Sequence, residues 1–379
     1  MPSVSLADAL KTSVIPFPQG ASLTMETLLR LTVEHGASDL HLSSSGIPPH
    51  VRVDDKLLPI DCPALSAADV QQLCYSAISP EQVKHFETTR ELDFSFSIEG
   101  LARFRGNYFF QRGAMGAALR MLPFAILSFE QCGLPVPIVT ELCRKPRGLV
   151  LVTGATGSGK STSLASMINM INHERHCHIV TVEDPIEYVH QNAQAVIDQR
   201  EVGSDTQTFE NALRHVLRQD PDVILIGEMR DLETIAAALM IAETGHLVFG
   251  TLHTSDAVQT INRIIDVFPA HQQSQVRTQL SFVLLGVLSQ QLIPRMTGRG
   301  RVLATEVMIA THAVRTLIRE EKAHQMYSLI QTGQKDGMIT MNQSLYTLYA
   351  NRIISYDDAV GRSSDPEELK RMIKVSGVI

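Results

Sequence analysis

Gly154-Ala155-Thr156-Gly157-Ser158-Gly159-Lys160-Ser161 is the stretch on which the reading of this 379-residue sequence turns. It fits the pattern G-x-x-x-x-G-K-S/T, and Thr162 follows it. Before it stands the apolar run Leu149-Val150-Leu151-Val152; after it Leu164, Ile168 and Ile171 recur at helical spacing. Strand, glycine-rich loop and helix in that order are the context in which such a loop holds phosphate. The glycines let successive backbone N–H groups turn toward an anion, and the helix N-terminus adds its positive end. Lys160 is placed to meet the β- and γ-phosphates, and the Ser161 hydroxyl to bind Mg²⁺. A glycine-rich turn with no ligand is the bland alternative, and the flanking elements weigh against it.

Outward from this loop the grammar repeats. Ile179-Val180-Thr181-Val182, Val223-Ile224-Leu225-Ile226 and Leu247-Val248-Phe249 are further short apolar runs. Helical faces are expected at Phe209/Leu213/Val216/Leu217 and at Leu280/Val283/Leu284/Val287/Leu288. Short strands without polar alternation, separated by helices, predict an α/β fold with a mainly parallel sheet buried on both faces.

Carboxylates stand at the ends of two of these runs. Asp222-Val223-Ile224-Leu225-Ile226-Gly227-Glu228 ends an apolar strand on an acid, the arrangement that places a carboxylate beside a phosphate site. Val182-Glu183-Asp184-Pro185-Ile186-Glu187 gathers three carboxylates at another strand end, where ligands of open α/β sheets bind. A helix-starting turn at Pro185 is the structural alternative. From the residues alone, either Glu183 or Glu228 serves as the general base. His246 and His253 flank the fourth run at a spacing that is no metal-ligand pattern; beside a nucleotide they would sense the γ-phosphate by hydrogen bonding.

Residues 23–122 read differently. Thr24 is a candidate helix cap, 38–42 and 51–53 alternate like strands, and 66–75 and 80–86 read as helices. Leu92, Phe94, Phe96 and Ile98 share one face of a strand. A small α+β domain is expected there, preceded by a flexible leader over 1–22 and followed from 123 by a proline-punctuated linker and the parallel-sheet domain to 379. Arg103, Arg105, Arg112 and Arg120 stud the first domain. Each alone reads as a solvated residue of a small sheet; together they matter if one subunit's first domain meets a neighbour's nucleotide.

Composition narrows the classes. Hydrophobic residues make up 44% and charged residues 19%, enough for a packed core. No apolar stretch approaches the ~20 residues of a spanning helix. A formal charge of −7 argues against a dedicated nucleic-acid binder. The five cysteines form no C-x-x-C pair, so neither a disulfide framework nor a zinc ribbon is indicated, and a reducing cytoplasm is expected.

These residues together resemble the PilT-type hexameric ATPases of type IV pili, within the wider type II/IV secretion ATPases. The similarity runs from about residue 23 to 374. The 179–187 segment resembles the family's Asp box, 199–203 and 225–235 its Walker B neighbourhood, and 242–254 its His box. Arg103-Phe104-Arg105-Gly106-Asn107 and Gln111-Arg112-Gly113 resemble the segment that supplies trans-acting arginines. Ala313-Val314-Arg315-Thr316-Leu317-Ile318-Arg319-Glu320 resembles the AIRNLIRE motif of the retraction branch, with Val314 for Ile and Thr316 for Asn. By its spacing, Ala313, Val314, Leu317 and Ile318 form one apolar stripe, with Arg315, Arg319 and Glu320 outside it.

The resemblance implies a PAS-like first domain, a RecA-like ATPase domain and C-terminal helices. It implies a homo-hexamer that hydrolyses ATP with Mg²⁺ to retract pili. Glu183 would be the base, Glu228 and Ser161 would hold the metal, and Arg105 and Arg120 would act across the interface. The implied place is the cytoplasmic face of the inner membrane at the pilus base, against a platform protein and beside paralogous retraction ATPases. An extension or type II secretion ATPase shares the nucleotide motifs, but usually has a longer N-terminal region and a four-cysteine insert, which this sequence lacks. A DNA translocase is opposed by the acidic total, and a non-hydrolysing scaffold by the intact Lys160, Ser161, Glu183 and Glu228.

Overall fold

Caps and strand alternation organise the chain as far as Ala125, where the first of two compact units ends. The computed structural model describes residues 14–53, 56–98, 100–122, 125–298 and 300–376. The first unit holds β1 (Ile15–Pro16), α1 (Met25–Glu34), β2 (Asp39–Ser43), β3 (His50–Val53), β4 (Lys56–Asp61), α2 (Ala67–Tyr75), α3 (Pro80–Thr89), β5 (Glu91–Ile98), β6 (Ala102–Gln111) and β7 (Ala114–Leu122). Thr24 accepts a hydrogen bond from the Thr27 N–H, and Ser66 with Asp69 and Ser79 with Gln82 form reciprocal caps. These satisfy N–H groups that a helix start leaves open. The strands form one sheet in the order β1-β4-β3-β2-β7-β6-β5, antiparallel except for the β1–β4 pair. Leu28, Leu29, Val70, Phe86, Phe104 and Tyr108 are buried in its core.

The leader expected over 1–22 is corrected in part. Ile15 pairs with Ile60 at the sheet edge and is 2% exposed, so burial of one large apolar side chain anchors this stretch. Residues 1–13 lie outside the described residues.

The second unit begins at Ile126. It runs through α4 (Phe129–Cys132), α5 (Val136–Cys143), β8 (Gly148–Thr153), α6 (Lys160–Glu174), β9 (His178–Glu183), β10 (Val196–Glu201), α7 (Phe209–Val216), β11 (Val223–Ile226), α8 (Leu232–Glu243), β12 (Leu247–Leu252), α9 (Ala257–Asp266), α10 (Ala270–Val283), β13 (Leu284–Pro294) and β14 (Arg301–Ile309). After these come α11 (His312–Arg319), α12 (Met326–Thr332), α13 (Met341–Ala350), α14 (Tyr356–Arg362) and α15 (Pro366–Ser376). The sheet order is β10-β9-β11-β12-β8-β13-β14, and all neighbours are parallel except β13 with β14. Every residue of β8, β11 and β12 is buried. One face packs on α7 through α11, the other on α4, α5 and α6. A third apolar cluster holds α13 to α15 against Ile293 and Ala304.

Two expectations for this unit are revised. The helical pattern at 280–288 stops at Val283, and Leu284 onward is strand β13, with a bulge between Leu284 and Gly286. An apolar run buried on both faces carries no period that separates helix from strand. In α11, Val314 and Ile318 are buried, Leu317 is half-buried and Ala313 is exposed, so the apolar stripe is narrower than its spacing implied. Arg315 turns inward and donates to the carbonyls of Ser281, Phe282 and Leu284. Those carbonyls end α10 and would otherwise be unsatisfied.

Glu306 on β14 links distant elements. Its carboxylate accepts from the Ala257 N–H at 2.9 Å and the Met341 N–H at 3.4 Å, at the starts of α9 and α13. Burial pushes its pKa up to about 7 against those two bonds.

Candidate nucleotide site

The phosphate loop lies where β8 delivers the chain to α6. Gly154 has φ +142, and a Cβ there would stand 2.4 Å from the Gln290 carbonyl oxygen, so only glycine fits. Gly159, at φ +90, begins α6 with no side-chain cap. The first N–H groups of a 15-residue helix therefore face the loop without a side chain of their own. Ser158 is buried and its hydroxyl has no hydrogen-bond partner. Lys160 Nζ donates to the Gly154 and Ala155 carbonyls at 2.8 and 3.0 Å. Burial lowers its pKa against the pull of Glu228 and Glu187. Thr162 hydrogen-bonds the Tyr188 hydroxyl at 2.9 Å. Below the loop, Gln290 on β13 bonds Ser163, and Ser289 bonds Thr153, fastening β13 to β8 and α6.

The two glutamates sit in opposite environments. Glu183 ends β9. Its Oε1 accepts from the Thr181 hydroxyl at 2.7 Å and the Gln199 amide at 3.1 Å. Burial of the carboxyl nevertheless dominates and pushes its pKa up to about 7. Glu228 follows β11 and is gripped by Arg230, whose Nε lies 2.5 Å from Oε1 and whose Nη2 donates to Oε2 at 2.6 Å. His253 Nε2 lies 3.1 Å from the same Oε1. Burial would raise this carboxyl, but Arg230 and His253 outweigh it and hold its pKa below the usual value. A cavity of about 30 Å³ lies beside Glu183, lined also by Ser161, Tyr188, His190, Gly227 and Thr251. That is room for about one water molecule.

The loop residues, Glu183, Glu228 and His253 thus gather at the carboxyl ends of the parallel strands, where such sheets bind ligands. His246 does not join them. It precedes β12, at the other end from His253, and a six-residue strand spans roughly 20 Å. Its Nδ1 hydrogen-bonds the Ile241 carbonyl at 3.1 Å, so it closes the end of α8. Strand direction separates the two histidines, and seven-residue spacing concealed it.

In the first unit, Arg105 and Arg120 are paired across β6 and β7, and Arg120 is paired with Asp39 on β2. Arg120 Nε donates to Asp39 Oδ1 at 2.8 Å. Burial would raise the Asp39 carboxyl, but Ser38 and Arg120 hold it lower. Arg105 is exposed, Arg103 donates to the Ser95 hydroxyl at 2.6 Å, and Arg112 occupies the β6–β7 hairpin turn at φ +48. Sequence reasoning gave no role to Gln199, Tyr188, His190 and Thr251. A polar residue inside an edge strand was the one local signal, at Gln199.

The residues fit a bound nucleotide: a glycine cradle that a Cβ would fill, an unpartnered buried hydroxyl and an uncapped helix start. Among the described residues no three His, Cys, Asp or Glu side chains converge on a metal site. No helix among them is long and apolar enough to cross a membrane.

The family described as Type II/IV secretion system protein matches residues 22–298. The type IV pilus retraction ATPase PilT of Pseudomonas aeruginosa is 50% identical over 340 residues, 90% of this chain and 98% of that protein. A twitching motility protein of Neisseria gonorrhoeae is 48% identical over 321 residues, 85% of this chain and 86% of that one. The crystal structure of the pilus retraction motor PilT with bound ADP superposes with a TM-score of 0.87 at 51% identity, covering 93% of this chain and all of that one. With its phosphate loop, paired glutamates and parallel sheet in the order found here, the chain belongs to the type II/IV secretion ATPase family, in its PilT-type branch.

Proposed function

We propose that this chain hydrolyses ATP as a homo-hexameric motor that powers type IV pilus retraction. The observation that carries the hydrolytic reading is geometric: Glu183, which shares a small cavity with Ser161, and Glu228, gripped by Arg230 and His253, both stand with the phosphate loop at the carboxyl ends of the parallel strands. Burial raises the first carboxyl, while Arg230 and His253 hold the second low. Paired groups whose environments push their pKa values apart divide the acid–base work between them. Glu183, poised near neutral pH, is the general base; Glu228, kept ionised, is the metal-side carboxylate.

The 154–162 loop and the start of α6 bind the phosphates, and Lys160 leaves its own loop carbonyls to meet the β/γ charge. Ser161 and Glu228 would hold Mg²⁺, which when bound neutralises phosphate charge. A water oxygen attacks the γ-phosphorus, the bond to the β–γ bridging oxygen breaks, and Glu183 takes the proton that water loses. His253 steadies Glu228. Arg105 and Arg120, with Arg103 on the same face of β6, reach a neighbouring subunit's nucleotide, and Asp39 holds Arg120 in place; Arg112, in the hairpin turn at the far end of β6, is set apart from them. The motor works at the cytoplasmic face of the inner membrane, gripping a platform protein and sharing the task with paralogous ATPases. Nucleic acid is not a substrate. The first unit is the PAS-like domain and the second the RecA-like ATPase.

The exposed side of α11, Ala313, Arg319 and Glu320, transmits the stroke, with Arg319 also donating to the Ser281 hydroxyl of α10 at 3.2 Å, while Val314, Ile318 and Arg315 hold the helix to its unit, with Leu317 between. Deletion of the gene with labelled pili tests the function: pili that extend and never retract support it, and absent pili overturn it in favour of an extension motor. Arg319→Ala is expected to stop retraction with phosphate release and Tm near wild type. A loss of retraction that always follows a loss of stability makes the helix structural only.

A further inference from the structure

The side-chain amide of Gln199 sits between the hydrolytic carboxylate and the loop after it. Gln199 lies on β10, in register with Thr181 on β9. Its Nε2 donates both to Glu183 Oε1, at 3.1 Å, and to the Tyr188 carbonyl, at 2.8 Å. Its Oε1 accepts the His190 N–H at 2.7 Å. The two backbone partners fix which way the amide faces, because a carbonyl only accepts and an N–H only donates. The amide N–H therefore has to point at Glu183.

Thr181 donates to that same Oε1 at 2.7 Å. One carboxylate oxygen is thus held by two side-chain donors, and among the described residues the other has no side-chain donor. Tyr188 and His190, which Gln199 also holds, line the small cavity shared with Glu183 and Ser161. The His190 Nδ1 is buried there with no hydrogen-bond partner.

We infer that Gln199 is a positioning residue for hydrolysis: it pins Oε1 of Glu183, directs the proton taken from water to Oε2, and holds the Tyr188–His190 wall in register with the carboxylate. The inference rests on Glu183 being the base. A carboxylate freed to rotate loses alignment with the attacking water, and a misplacement of about 1 Å costs as much as ~10²-fold in rate. Nucleotide binding depends on the loop at 154–162, which Gln199 does not touch.

The test compares two variants in the full-length assembled protein. Gln199→Glu keeps the acceptor for His190 and removes the N–H; Gln199→Met removes both. Steady-state phosphate release gives kcat and KM, a fluorescent ADP analogue gives affinity, and thermal denaturation gives Tm. The expected result is a kcat lowered ~10- to 100-fold in both variants, with KM and ADP affinity within about twofold and Tm little changed. Wild-type kcat in Gln199→Glu overturns the inference, and so does a loss of kcat that tracks Tm or a change confined to KM. Should both variants fail to fold, Thr181→Val removes the other donor to the same oxygen; the same kcat-only loss supports the pinning, and wild-type kcat overturns it. Glu183→Gln separates the two levels: if it hydrolyses ATP normally, the assignment of the base falls, whereas an inactive Glu183→Gln beside a normal Gln199→Glu removes the positioning role alone.

Discussion

The two ends of the parallel sheet treat polar side chains in opposite ways. At the amino ends the groups are committed to the fold. His178 hydrogen-bonds the Gln219 carbonyl with one ring nitrogen and Asp198 with the other, and its N–H donates to Asp222. His246 hydrogen-bonds Thr244 and the Ile241 carbonyl. At the carboxyl ends the Ser158 hydroxyl and the His190 Nδ1 are buried without partners, and Lys160 rests on its own loop. Buried polar groups are normally satisfied, because each one left open costs about 1–3 kcal/mol. Ser158 stands where β8 hands over to α6 and His190 in the loop between β9 and β10, both toward the carboxyl ends, the place a ligand reaches. Stability is thus secured at one end, and binding capacity is kept at the other.

The largest test of that contrast is Lys160→Ala. It is expected to cut phosphate release by ~10³-fold or more, with Tm within a few degrees of wild type, since the ammonium bonds only two carbonyls of its own loop. Near-normal turnover would remove the carboxyl end from the chemistry.

Glu183→Gln probes the cost of keeping a raised carboxyl there. The group ionises at about 7 in the fold against 4.5 when unperturbed. Between those values the folded chain holds a proton that the unfolded chain has lost, so wild-type stability falls as pH rises through the window. Glutamine has no such penalty. The variant is expected to be more stable than wild type above pH 7, on the order of 3 kcal/mol, with the advantage disappearing toward pH 4.5. Urea denaturation at pH 8 and pH 5 measures it, and an equal difference at both would show that the carboxyl is not raised.

The histidine pair gives the smallest and sharpest comparison, because both flank one strand. His253→Ala is expected to lower kcat by about 10-fold, the scale of one hydrogen bond to a charged group, with stability unchanged. His246→Ala is expected to leave kcat alone and to cost about 1 kcal/mol of stability. Kinetics and denaturation on the two proteins decide it; the reverse pattern would invert the assignment of the ends.

The phosphate loop was legible in the sequence because all its parts are contiguous. A strand, three glycines, Lys160, Ser161 and a helical pattern occupy one short segment, and local backbone preference determines such a segment. The runs at 149–152, 179–182, 223–226 and 247–249 were legible for the same reason, as was the acid ending at Glu228. What tertiary structure alone decided involves distance along the chain. Leu284 to Leu288 carries an apolar pattern that suits helix or strand, and pairing with β8 made it strand. His246 and His253 were separated by the direction of β12. Arg315 turned inward because the end of α10, more than thirty residues earlier, presents open carbonyls. Arg120 met Asp39 across 81 residues and Gln199 met Glu183 across 16, through strand register. Sequence by itself determined which chemistry this protein carries. The fold decided which copies of each residue type face that chemistry, because register and strand direction arise only when distant segments pair.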